Sequence, residues 1–136
     1  MTAIETVPRT IGNGYMRREL PLFLKSLGMG SATYRMVGSN LDYQALKHES
    51  SPNLRDIRLI CLAANDVGLH KSEGILAEIN QLRSSGDLSN AMVIVFSTED
   101  IAIGEEQPRV DYWKSLGAND FLVMLINHSD LMKLLQ

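Results

Sequence analysis

Few residues in this sequence stand at the spacings that chemistry needs. His48, His70 and His128 fall in separate loops or helix ends, and none lies at ligand spacing from another His, a Cys or a paired acid. A zinc-type site needs three or four such ligands converging, so none is expected. Gly12-x-Gly14 and Gly28-x-Gly30 look like the start of a phosphate-cradling turn, but Arg17 and Thr33 stand where its third glycine would be. Neither pair follows a strong strand, and turn or helix-cap roles fit both better. The sequence contains no Gly-Lys-Ser/Thr triplet and no Gly-x-Ser-x-Gly elbow, the local signatures of a nucleotide P-loop and a serine hydrolase. Three features remain. Asp66 lies two residues beyond an apolar run, Ser97 ends another, and Arg109, Tyr112 and Trp113 share one segment. An aromatic residue beside an arginine is the composition that dominates binding hot spots, which makes Arg109 and Tyr112 candidates for a partner surface.

The elements that would position these residues alternate. Met92–Phe96 and Phe121–Ile126 are short apolar runs of strand-forming residues, and the helix-length segment between them closes at Gly117. Strand, helix and strand in so short a span make a βαβ unit, which demands parallel strands. Ile57–Ala64 is almost continuously apolar, the pattern of a strand covered on both faces. Ser31–Val37 reads as another strand, and a weak one could lie within residues 1–14, although Pro8 is a poor fit there. Helices are expected from about Glu19 to Leu27, from Leu41 to His48 with Asn40 as cap, from Glu73 to Arg83, and from Ser129 to Gln136. Ser50–Asn53, containing Pro52, and Asn65–Ser72 read as loops. The order β-α repeated five times predicts an α/β domain with a doubly wound, five-stranded parallel sheet, flavodoxin-like, with strand order 2-1-3-4-5. A ligand or catalytic site in such a fold would lie at the strand carboxyl edge, near Ala64–Gly68 and Ser97–Glu99.

The totals fit one soluble domain spanning all 136 residues. A net charge of −3 gives no basic footprint for nucleic acid. The single cysteine, Cys61, sits inside an apolar run and suits a reducing compartment. No apolar stretch approaches the roughly 20 residues of a membrane helix, and no basic-flanked early run suggests a signal peptide, so a cytoplasmic protein without membrane contact is expected.

Leu116-Gly117-Ala118-Asn119-Asp120-Phe121-Leu122-Val123 resembles the last helix–strand junction of response-regulator receiver domains. Val93-Ile94-Val95-Phe96-Ser97-Thr98 resembles the family's fourth strand, and the helix ending at Leu82-Arg83 its third helix. The likeness covers most of residues 54–136 and is weak before them, weakest over 1–14. It implies a two-component signalling domain whose partner is a protein, a histidine kinase or another signalling protein, with a homodimer as a further arrangement. A competent receiver carries an acceptor Asp after its third strand, an acid pair after its first that holds Mg²⁺, a Lys after its fifth and a hydroxyl after its fourth.

Carried over residue by residue, Ser97 fills the hydroxyl position. Met124 stands where Lys is expected, and a thioether offers no donor to a phosphoryl oxygen. The acceptor position falls on Ala63 or Ala64 when the apolar run is continued, and on Asp66 when spacing is counted back from Gly74. Only Glu5 lies near the weak first strand, a poor Mg²⁺ site alone. These departures imply a degenerate receiver, or pseudo-receiver, that is no enzyme, needs no cofactor and acts through protein contacts on the face running from the fourth strand to the last helix. Arg109, Tyr112 and Phe121 are the surface candidates there. One alternative is a phosphorylatable regulator with Asp66 as acceptor, which would use Mg²⁺. Another is a flavodoxin-like domain that binds or transforms a small ligand.

Overall fold

The computed structural model describes residues 20–97 and 104–123, and the side chains of Asp66 and Val123 fall outside that description. The chain enters on helix α1, Leu20–Ser26, with Pro21 in its first turn, where a missing amide costs nothing. Gly28 closes it at φ +85°, a conformation that favours glycine. A single 3₁₀ turn, Ser31–Thr33, leads into strand β1, Tyr34–Val37, so the strand is shorter than its β-prone sequence predicts.

Helix α2, Asn40–Lys47, is capped by Ser39, whose Oγ accepts from the Asp42 amide at 3.1 Å. Asn40, the cap read from sequence, is instead the first helical residue. The expected loop around Pro52 is a short helix, α3, Ser51–Arg55, because Ser50 caps it and proline suits a first turn. Strand β2, Leu59–Ala63, is buried at every position. The expected polar loop after it is also mostly helical: a single turn, α4, Ala64–Val67, then Gly68 at φ +109°, then α5, Leu69–Ser85. Strand β3, Met92–Ser97, helix α6, Glu106–Ser115, and strand β4, Asp120–Val123, complete the described chain.

The four strands form one parallel sheet in the order β1-β2-β3-β4. Tyr34 pairs with Leu59, Leu59 with Met92, and Ile94 with Asp120. The α/β class is as expected, but the doubly wound order 2-1-3-4-5 is not what the described residues form. That order needs a strand between Ser31–Val37 and Ile57–Ala64, and β1 instead hydrogen-bonds β2 directly. The weak strand proposed within residues 1–14 and the helix over Ser129–Gln136 lie outside the described residues.

Alternation along the strands sorts the core into two layers. Val37, Ile60, Leu62, Val93, Val95 and Phe121 face Tyr43 and Leu46 of α2, Ile75, Leu76 and Ile79 of α5, and Trp113 of α6. Leu59, Cys61, Ala63, Ile94 and Phe96 face the opposite way, onto Leu20 and Leu24 of α1. The crossovers all step in the same direction along the sheet. Crossovers of one hand must then lay α2, α5 and α6 on the same face, which is where they lie. The strand order has no reversal among the described residues, and so no topological switch point of the kind where doubly wound sheets open a crevice. No helix among the described residues is long and apolar enough to cross a membrane.

Candidate functional site

The carboxyl edge of the sheet is where the sequence placed the candidate chemistry. β1 ends at Val37, and Gly38-Ser39 turns the chain directly into α2. The turn is closed reciprocally: Ser39 Oγ accepts from the Asp42 amide, and Asp42 Oδ2 accepts from the Gly38 amide at 2.9 Å. The arrangement is close to a capping box, except that Asp42 takes the amide of Gly38, one residue before the cap, and it occupies the first carboxylate after β1 with helix initiation.

At the centre of the edge, β2 passes without a loop into α4. Ala63 and Ala64 are 0% and 1% exposed, so the two alanines counted as acceptor positions are packed methyl groups. The Ala64 carbonyl accepts from the Gly68 amide at 2.8 Å and from the fully buried Ser72 hydroxyl at 3.1 Å. These bonds satisfy a buried carbonyl and fix the hinge between α4 and α5. Asp66 sits in the α4 turn, three residues past the strand; its side chain is not among those described.

A polar pair joins α4 to β3 at this edge. Ser97 is 1% exposed, and its hydroxyl donates to Asn65 Oδ1 at 3.0 Å. Asn65 lies between the alanines and the acid that the sequence offers as acceptor positions, and it is the residue that reaches Ser97. The amide oxygen is neutral and cannot take up the hydroxyl proton, so the pair is a hydrogen-bonded tie and not a nucleophile with its base. Met124, the residue at the expected Lys position, lies outside the described residues. No group of three or more His, Cys, Asp or Glu able to hold a metal occurs among the described residues.

The partner-surface candidates separate. Tyr112 is 46% exposed on α6, its hydroxyl donates to a Glu73 carboxylate oxygen on α5, and its ring meets Trp113 edge-on at 5.5 Å. Arg109 lies one turn earlier and is partly exposed. Phe121 is only 2% exposed and belongs to the core under α5 and α6, because strand alternation turns it inward. It has no free surface to offer a partner.

The Gly117–Asp120 junction has a structural purpose that its sequence does not announce. Gly117 adopts φ +105°, and a Cβ there would stand 2.1 Å from Asn80 Nδ2. That amide donates to the Leu116 carbonyl at 2.9 Å, closing the end of α6. Arg83 donates to the Gly117 carbonyl at 3.1 Å and to Asn119 Oδ1 at 3.0 Å. Asn119 then engages both backbone groups of Val93: its Oδ1 accepts from the Val93 amide and its own amide donates to the Val93 carbonyl, each at 2.8 Å. The asparagine thus begins the β3–β4 ladder one residue before the strand starts.

These features define a parallel α/β domain. No protein-family model matches the chain, and neither a curated protein nor a solved structure matches it at a significant level.

Proposed function

We propose that this chain is a receiver-like signalling domain of the degenerate kind, acting through protein–protein contact without aspartyl phosphorylation. The observation that carries the reading is the Ser97–Asn65 bond. In the family that the sequence resembles, the hydroxyl after the fourth strand hydrogen-bonds the phosphoryl group carried by the acceptor carboxylate; here Ser97 donates to the amide oxygen of Asn65. An amide nitrogen or oxygen does not form the acyl phosphate that a carboxylate forms.

On this reading β1 takes the place of the family's first strand, beside its third, and residues 38–58, where the second strand would lie, hold α2 and α3 and no strand. Gly38 and Ser39 then stand where the Mg²⁺-binding acids would be, and the next acid, Asp42, caps α2. The domain is read as cytoplasmic, without cofactor or enzymatic activity. Its partner is a protein such as a histidine kinase or another signalling component, contacted through Arg109 and Tyr112 of α6.

Incubation with acetyl phosphate and with beryllofluoride, each with Mg²⁺, tests this by intact mass and amide NMR. Unchanged mass and an unperturbed Ala64–Gly68 segment are expected. Stoichiometric acyl phosphate that disappears in Asp66→Asn would refute the proposal in favour of a phosphorylatable regulator.

A further inference from the structure

The opposite, amino-terminal edge of the sheet carries an open basin of about 830 Å³ that the signalling reading does not use. Its floor includes the half-buried thioethers of Met29 and Met92, which also pack on the α1 layer. Its rim includes Thr33, Arg55, Arg58 and Asn90, with Asp56 as the single acid among the described lining residues. The backbone of this rim is fixed. The Arg58 amide donates to the Thr33 carbonyl at 2.7 Å, the Met92 amide to the Arg58 carbonyl at 2.9 Å, and Asn90 Nδ2 to the Arg55 carbonyl at 3.3 Å.

The guanidinium groups on this fixed frame are underused. Arg58 is exposed, and its side chain makes no hydrogen bond or ion pair with a described residue. Arg55 is 62% exposed and reaches Asp87 only at 3.9 Å, a contact worth little in water. A chain of net charge −3 therefore gathers two arginines against one acid around a concave surface with an apolar floor. Guanidinium forks match phosphate oxygens in pairs, and methionine floors adapt to flat organic groups. The volume falls within the roughly 300–1,000 Å³ of small-molecule sites and exceeds what a bare phosphate fills.

We propose that the amino-edge basin binds a small phosphate ester, with the phosphate held by Arg58 and Arg55 and the organic part lying on Met29 and Met92. This site is independent of the carboxyl edge and of the signalling reading. Amide NMR titration with adenosine 5′-monophosphate, adenosine and inorganic phosphate tests it. The monophosphate should shift Thr33, Arg58 and Met92 saturably, with the other two probes much weaker. Arg58→Gln, an exposed change that leaves the sheet hydrogen bonds intact, should weaken the monophosphate about tenfold or more, as expected for a lost charged hydrogen bond. Added salt should weaken it further. Asn65→Ala, at the far edge, should bind like the parent. No saturable shift at these amides up to about 10 mM, beyond the millimolar range of weak specific binding, would overturn the proposal. So would adenosine or inorganic phosphate matching the monophosphate, or Arg58→Gln titrating like the parent.

Discussion

Gly117→Ala should be among the most damaging single-methyl additions the domain can suffer, and its cost can be built from two separable parts. The first is backbone strain. At φ +105° an L side chain is held in a region it rarely adopts, at about 1–3 kcal/mol. The second is collision. The added Cβ would sit 2.1 Å from Asn80 Nδ2 and 2.9 Å from Asn80 Cγ, so the asparagine must rotate away. That rotation removes its 2.9 Å bond to the Leu116 carbonyl and weakens the 3.2 Å contact from Arg83, together about 1 kcal/mol. The sum is about 2–4 kcal/mol, a large share of the marginal stability of a small domain. Urea unfolding followed by far-ultraviolet circular dichroism should move its midpoint down by about 1–2 M for a slope of ~2 kcal/mol/M.

A double-mutant cycle separates the parts. In an Asn80→Ala background the side chain that the new methyl would strike is gone, and Gly117→Ala should cost only the strain. The two changes should therefore couple favourably by about 1 kcal/mol. A cost below about 1 kcal/mol in the parent would refute the strain assignment, since that lies under the floor for such a conformation. An equal cost in both backgrounds would refute the collision.

Other outcomes follow from single features of the core and its ties. Cys61 is fully buried and burial pushes its thiol pKa up, so an aqueous disulfide reagent should label it no faster than the protein unfolds; rapid native labelling would contradict the packing. Glu49 is held below its ordinary value of 4.5 by its hydrogen bonds from Arg35, so the pair contributes fully above that value and is lost as pH falls through the lowered one. Glu49→Gln should accordingly be less stable than the parent at neutral pH by urea midpoint, with the gap closing in acid; a constant gap would place the effect elsewhere. Tyr43→Phe removes a hydroxyl that donates to Glu78 at 2.6 Å, and should cost about 0.5–1.5 kcal/mol in thermal or urea unfolding while leaving the sheet's amide spectrum intact.

The α/β class was legible because it rests on long, local signals. The unbroken apolar runs of β2 and β3 and the helical spacing of Ile75, Leu76 and Ile79 each reflect burial that any parallel sheet imposes. Strand order was not legible. It depends on which strand finds the edge of Leu59–Ala63, and nothing in the side chains of Tyr34–Val37 specifies a neighbour. The short helices at Ser51–Arg55 and Ala64–Val67 escaped for another reason: each spans little more than one turn, less than the window in which periodicity can be counted. Asn65 escaped because the resemblance directed attention to carboxylates, and an amide in that place is recognised only when its contact with Ser97 is seen. Gly117–Asp120 shows the reverse hazard. The stretch that most resembled a family is also one that local backbone demands explain, through a positive φ and two asparagine caps.

Winding in a single direction gives α5 a special position, between α2 and α6 on the same face, and its polar side chains are committed to both neighbours. Glu78 accepts from Tyr43 of α2, and Glu73 accepts from Tyr112 of α6. Asn80 and Arg83 hold the chain where α6 gives way to β4. The ties to α6 are unequal. At its carboxyl end several hydrogen bonds, some part-buried, converge on Leu116–Asn119, whereas one turn earlier the Tyr112–Glu73 bond is exposed to water, where such a bond contributes little. Trp113, buried in the core, anchors the same turn, so the part of α6 that a partner can exchange cheaply is the exposed Tyr112–Glu73 bond. A partner that captures the Tyr112 hydroxyl displaces only Glu73. The proposed contact surface can therefore be engaged while the sheet beneath it, fastened through Asn119 to Val93, stays in register.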